Sequence, residues 1–250
     1  MATIQTTLVT LGRWLGLLPH PERRKPRVKT ATSLVSKSRS NPGRSFNGNM
    51  TVPVDPDLLA LVEFGNSPRT VLPLMSVANH QVRPACRRLA ANAGSTELDK
   101  GLESAMRLLM GVDRKLIRRV VLISDGEPTC APAPLVGIAG RMGKEGIRLD
   151  CIGVGPPAGG QLLRTLAKLS YRGRHYSAGT FKALASAVLA HAESGCRHRF
   201  RGATVLLIDA SGSMNGAMPQ EPTRSRIQAC REAAEAFVAT QTRLYGHKVR

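Results

Sequence analysis

Short, continuous apolar runs alternate along the chain with longer stretches whose apolar positions recur at three- and four-residue spacing. LLALVEF (58–64) and RTVLPL (69–74) are β-type runs separated by the turn sequence GNSP, which predicts a hairpin. TELDKGLESAMRLLM (96–110) places Leu98, Leu102, Ala105, Met106 and Leu109 at helical spacing. Thr96 and Asp99 stand near its start, where side-chain oxygens cap free N–H groups. RRVVLISDG (118–126) is a continuous strand ending in an aspartate, and APLVGIAGRMGKEG (133–146) is a helix stopped by glycine. IRLDCIGVG (147–155) predicts a strand, GGQLLRTLAKLS (159–170) a helix, GRHYSA (173–178) an edge strand and TFKALASAVLAHAES (180–194) a helix. A basic connector, GCRHRFRG, leads to VLLIDASGSM (205–214), a buried strand that delivers oxygen-bearing side chains to the loop at its end. A helix over about 223–244, TRSRIQACREAAEAFVATQTRL, follows it.

Buried apolar strands alternating with helices predict an α/β fold, with a mostly parallel sheet covered on both faces. Ligands of such open sheets bind beyond the carboxyl ends of the strands, where strand order reverses. The residues at those stations are Asp209, Ser211 and Ser213 after VLLI, Asp125 after VVLIS, and Thr96 in the AGST turn ahead of a helix. All five carry hard oxygen donors. Hydroxyls and carboxylates around one point suit a small hard cation, Mg²⁺ first, with waters filling its octahedron. Ser211 and Ser213 are two apart, so an extended loop points both to the same side. On the purely structural alternative, Ser211, Ser213 and Thr96 cap helix starts and Asp125 opens a turn with Gly126. That reading requires five coordinated coincidences.

Charge adds a second region. The formal charge is +19 in 250 residues, and residues 1–50 carry nine Lys and Arg against the single acid Glu22. Residues 1–51 therefore read as a basic, Ser- and Pro-rich arm of disordered composition, and 52–250 as a moderately basic globular body. A solvated tail is the plain reading of the arm; contact with nucleic acid or an acidic surface is the alternative. The segment CRHRFR (196–201) is basic too, but aromatics are only 4% of the chain, so stacking on bases is poorly supplied. Cys86, Cys130, Cys151, Cys196 and Cys230 form no C-x-x-C pair, which suits a reducing, cytoplasmic setting with incidental thiols. No apolar run reaches the roughly 18 residues of a membrane span. TLVTLGRWLGLLP (7–19) is broken by Arg13 and is a poor secretion signal; an amphipathic surface helix is its other reading.

VLLIDASGSM, AGSTELDKGLESA and RVVLISDGEPT together resemble the von Willebrand factor A-type domain and its metal-ion-dependent adhesion site. The resemblance implies a three-layer, Rossmann-like fold. It also implies a Mg²⁺ or Mn²⁺ site in which Asp209, Ser211 and Ser213 form the D-x-S-x-S loop, with Thr96 and Asp125 on the second and third loops. The family often has two glycines before that threonine, where this chain has Gly94–Ser95. RLDCIGVG and the segment from Leu162 to Val188 look like the family's later elements. The order departs from the family's, because the D-x-S-x-S strand and its helix come last instead of first. Three arrangements fit: a circular permutant, a piece of a tandem array, and a domain-swapped chain. In the permuted reading, 52–195 supply the later elements, 196–203 the connector, and 204–250 the first strand, metal loop and first helix. Strand 204–208 is then expected between 58–64 and 119–124, since its absence leaves two unpaired edges.

The function this resemblance implies is binding without catalysis. A cation held by neutral hydroxyls, with its carboxylates partly in the outer shell, keeps net positive character and accepts one more oxygen, here the Asp or Glu carboxylate of a partner protein. A haloacid-dehalogenase-like phosphotransferase is the enzymatic alternative, since an apolar strand ending in aspartate occurs there as well. That chemistry places a second aspartate as acid–base two residues on, where this chain has Ser211, a side chain with no proton-transfer pKa near neutrality. Glu127 and Pro128 lie beside Asp125, where they could shape ligand access.

Overall fold

The computed structural model describes residues 57–91, 94–125, 128–155, 160–196 and 202–246, all within one compact unit, Pro53–Arg250. The basic arm, the apolar stretch 7–19, connector residues 197–201 and Glu127 lie outside the described residues.

β1 (Leu58–Phe64) and β2 (Arg69–Ser76) pair antiparallel across the 65–68 turn, as the GNSP sequence predicts. β2 lies at the edge of the sheet, which is where Pro73 is tolerated, because no neighbour needs its missing N–H. A helix absent from the expected set follows, α1 (Val82–Arg87); its six residues are too few for periodicity to register, yet Val82, Ala85 and Cys86 are buried. Then come α2 (Leu98–Met110), β3 (Ile117–Ser124), α3 (Pro132–Lys144) and β4 (Arg148–Gly153). α4 (Gly160–Leu169), β5 (His175–Ser177), α5 (Phe181–Cys196) and β6 (Gly202–Asp209) complete the large sheet and its cover. The chain ends in a 3₁₀ turn (Gly212–Asn215), a two-stranded ribbon of β7 (Ala217–Met218) and β8 (Glu221–Ser225), and α6 (Arg226–Gly246).

Among the described residues the six-stranded sheet has the order β2-β1-β6-β3-β4-β5, with every pair parallel except β1 with β2. β6 fills the gap the sequence leaves for it. Residues 203–209 pair with 58–64 on one side, and 202–208 pair with 117–123 on the other. All eight residues of β6 are buried, the state that its unbroken apolar pattern requires of a central parallel strand. Buried Asp57 fastens its start, accepting a hydrogen bond from the Gly202 N–H at 2.6 Å.

Alternation along the strands divides the core into two layers. Ala60, Val62, Val120, Leu122, Val205 and Leu207 pack under α2, α3 and α4 through Leu102, Ala105, Leu109, Leu135, Met142, Leu163 and Leu166. The alternate set, Leu59, Leu61, Val121, Ile123, Leu206 and Ile208, is equally buried. On that side α5 packs on α6, and α6 on β6 and α1.

Two boundaries differ from expectation. The last helix begins at Arg226 instead of about 223, because Glu221–Ser225 pair with Ala217–Met218 and Pro222 falls in that ribbon. The connector is also shorter than 196–203, since α5 continues to Cys196 and β6 starts at Gly202. α3 ends as its glycine predicts. Gly146 takes φ +68, its N–H bonds the Gly143 carbonyl, and Ile147 N–H bonds the Met142 carbonyl. Among the described residues no helix is long and apolar enough to cross a membrane.

Candidate functional site

β6 ends on Asp209, whose side chain is fully buried. Its Oδ1 accepts the Ser211 backbone N–H at 2.9 Å, and its Oδ2 accepts the Ser124 hydroxyl at 2.7 Å. Ser211 Oγ and Ser213 Oγ lie 2.9 Å apart and share a hydrogen bond. The two hydroxyls meet for a different reason from the extended alternation expected of them. Only Ser211 is extended (φ −64°, ψ 162°); the chain then winds through the 3₁₀ turn 212–215, which brings Ser213 back toward it. Ser211 is buried and Ser213 exposed, so the pair runs from the core to the surface.

Backbone bonds tie the neighbouring loops to this end of the sheet. Phe64 carbonyl accepts from Ala210 N–H at 2.7 Å, and Gly65 carbonyl from Glu97 N–H at 2.9 Å. Asn66 Oδ1 accepts from both the N–H and the hydroxyl of Ser95, at 2.8 and 2.6 Å. Thr96, itself buried, receives the Thr129 N–H on its carbonyl at 3.1 Å, which links the second loop to the one carrying Asp125. Thr96 thus reaches the same end as the other four residues. The capping expected of Thr96 and Asp99 is not what holds α2: the N-cap residue is Glu97, with no side-chain cap bond. Ser211, at the N-cap of the 3₁₀ turn, makes none either.

Asp125 follows β3 directly and is buried. Arg226, the first residue of α6, donates through Nη1 to Asp125 Oδ2 at 3.1 Å and to the Ser213 carbonyl at 3.2 Å. Gly155 lets Asp125 sit where it does: a Cβ at that position would lie 2.7 Å from the Asp125 Cβ, too close for any real pair of carbons. Sequence reasoning missed two partners here. Ser124 is legible after the fact as the polar end of an otherwise apolar strand, but Arg226 stands 101 residues from Asp125 and carries no local signal.

Electrostatically the site is a buried acid pair. Burial pushes the Asp209 carboxyl above its ordinary range; the Ser211 and Ser124 hydrogen bonds pull it back, and the nearby Asp125 charge raises it again. A cation close by removes that penalty. Among the described residues no group of three or more His, Cys, Asp and Glu side chains is placed to hold a metal ion. What converges instead is two carboxylates with hydroxyls, the donor set that suits a hard dication and offers nothing to a soft one. Burial raises the thiol of Cys86 to about 12 and also raises those of Cys151 and Cys230, with the Asp209 charge adding to the rise at Cys230.

The profile of the family described as von Willebrand factor type A domain matches residues 45–189, a span that stops before β6. No curated protein matches the chain. Among solved structures, a crystal structure of the SpRpn10 VWA domain is 21% identical, with a TM-score of 0.40, over 48% of this chain and 64% of that one. With more than half of its length matched by the family profile, the chain belongs to the von Willebrand factor type A domain family, whose members are protein-interaction modules with an α/β fold of this kind.

Proposed function

We propose that this domain is a metal-dependent protein-binding module, in which Mg²⁺ or Mn²⁺ recruits an Asp or Glu carboxylate of a partner. The observation that carries the reading is Asp209: a fully buried carboxylate at the end of the central strand, bonded to Ser124 and Ser211, with the Ser211–Ser213 hydroxyl pair leading from it to the surface. Asp209, Ser211, Ser213, Thr96 and Asp125 would hold the ion. When bound, it would supply a Lewis-acidic position that accepts one more oxygen, keeping net positive character because the three neutral hydroxyls face it while the two carboxylates stand partly in its outer shell. The chain's own residues do the rest. Ser124 and the Ser211 N–H fix the Asp209 carboxylate, the 3₁₀ turn presents Ser213, and Gly155 gives Asp125 room. No proton transfer is required of any of them, so the activity is recognition without turnover. Calorimetric titration with MnCl₂ tests the assignment. Asp209→Ala is expected to abolish binding, with circular dichroism unchanged; equal binding by the variant and the parent protein would show the assignment to be wrong.

We infer in addition that residues 52–250 form one domain read in permuted order. The support is that β6 pairs on both sides within its own chain, and that α6 packs on it. A cytoplasmic setting fits the free thiols of Cys86, Cys130, Cys151 and Cys230.

A further inference from the structure

The ion pair between Arg226 and Asp125 joins two parts of the candidate site that the metal reading needs for itself. One guanidinium nitrogen, Nη1, contacts both the Asp125 carboxylate and the Ser213 carbonyl. The Asp125 side chain is 2% exposed and that of Arg226 17%, so the pair is largely shielded from solvent. The Arg226 Nε is buried with no hydrogen-bond partner among the described residues.

The position is unfavourable for a cation on local grounds. Arg226 is the first residue of the 21-residue α6, whose first turn contains no acid, and a positive charge at a helix N-terminus opposes the helix dipole. Its own N–H bonds the Gly216 carbonyl at 2.9 Å, which anchors the backbone where the β7–β8 ribbon returns to the metal loop. Local structure therefore places this arginine, and Asp125 is what compensates its charge. The neighbouring Arg224 is engaged elsewhere, with Glu221 at 3.3 Å, Glu232 at 3.6 Å and the Phe181 ring at 4.4 Å.

We propose that Arg226 is the internal counter-cation of the candidate site: it neutralises Asp125 while no metal is bound, and it must leave that carboxylate for a dication to use it. The inference rests on the metal-binding reading above. The competition is resolved by movement of the guanidinium away from the carboxylate. Two cations on one carboxylate repel at short range in a poorly hydrated site. The apparent metal affinity is then the intrinsic affinity multiplied by the fraction of molecules in which Arg226 has swung away. Arg226 thereby sets the concentration range in which the site responds, and α6, which carries it, is the element that metal loading perturbs.

The test is calorimetric titration of the full chain with MnCl₂ after EDTA treatment, for the parent protein, Arg226→Met, Arg226→Lys and Asp209→Ala. Circular dichroism monitors the fold of each. Arg226→Met is expected to bind Mn²⁺ at least tenfold more tightly than the parent. Arg226→Lys keeps the charge without the planar fork; it is expected to fall between the two, and it carries the test if Arg226→Met fails to fold. If both substitutions leave the affinity unchanged or weaker while Asp209→Ala abolishes binding, the role of Arg226 is overturned and the metal site stands. If neither the parent nor the Arg226 variants bind Mn²⁺, the metal reading fails, and this inference with it.

Discussion

Consider removing β6 and everything after it by expressing residues 51–195 alone. The cut takes out a strand whose eight residues are all buried and which carries the ladder to β1 through 203–209 and to β3 through 202–208. Val205, Leu206, Leu207 and Ile208 are each 0% exposed, and burying a side chain of that size stabilises by about 1.5–3 kcal/mol. The four together represent roughly 6–12 kcal/mol on that basis, while a whole domain is stable by only about 5–15 kcal/mol. α6 leaves at the same time, with Ile227, Cys230, Ala234 and Phe237 from the second layer. What remains exposes the facing edges of β1 and β3, which are apolar on both faces and open to pairing with other chains. The fragment is expected to aggregate, or to unfold over a broad and non-cooperative range, while protease cleavage within 197–201 of the full chain leaves two pieces that co-elute. Size-exclusion chromatography and thermal circular dichroism decide it. A soluble monomer of 51–195 with a cooperative transition would refute the central-strand argument and the single-domain proposal together.

Two further predictions concern the site. Burial holds the proton on Asp209 more tightly in the folded protein than in the unfolded chain. The stability this contributes is present in acid and is lost as pH rises from about 3.8 through the folded value. Asp209→Asn keeps the shape, can still accept from Ser211 N–H and removes the titration. In EDTA its melting temperature relative to the parent should therefore rise between pH 4 and pH 7, and an unchanged difference across that range would contradict the electrostatic account. Gly155→Ala places a Cβ 2.7 Å from that of Asp125 and is expected to destabilise the fold by about 1–3 kcal/mol and to weaken Mn²⁺ binding. Denaturant titration and calorimetry showing neither effect would mean that the position of Asp125 tolerates displacement.

Much of this protein was determined by local pattern. The apolar runs at 58–64 and 118–124 and the GNSP turn are strands and a hairpin in the structure because period and turn chemistry act over a few residues. Gly146 ends α3 for an equally local reason, the left-handed conformation that follows a helix. The burial of β6 follows from its unbroken apolar pattern, while its place between β1 and β3 is what the family resemblance implies. Some of the shortest elements were not legible: α1 and the β7–β8 ribbon are too short for periodicity, and tertiary packing makes them form. The ribbon moved the start of α6 to Arg226, and so decided which side chain enters the site. Asp209 and Asp125 could be named from the sequence because each stands at the end of its own strand, and Thr96 because it stands just ahead of α2. The Ser124–Asp209 bond and the Arg226–Asp125 pair join residues 85 and 101 positions apart. Only the folded sheet brings such charges within reach, because Coulomb energy depends on distance in space and carries no trace of separation along the chain.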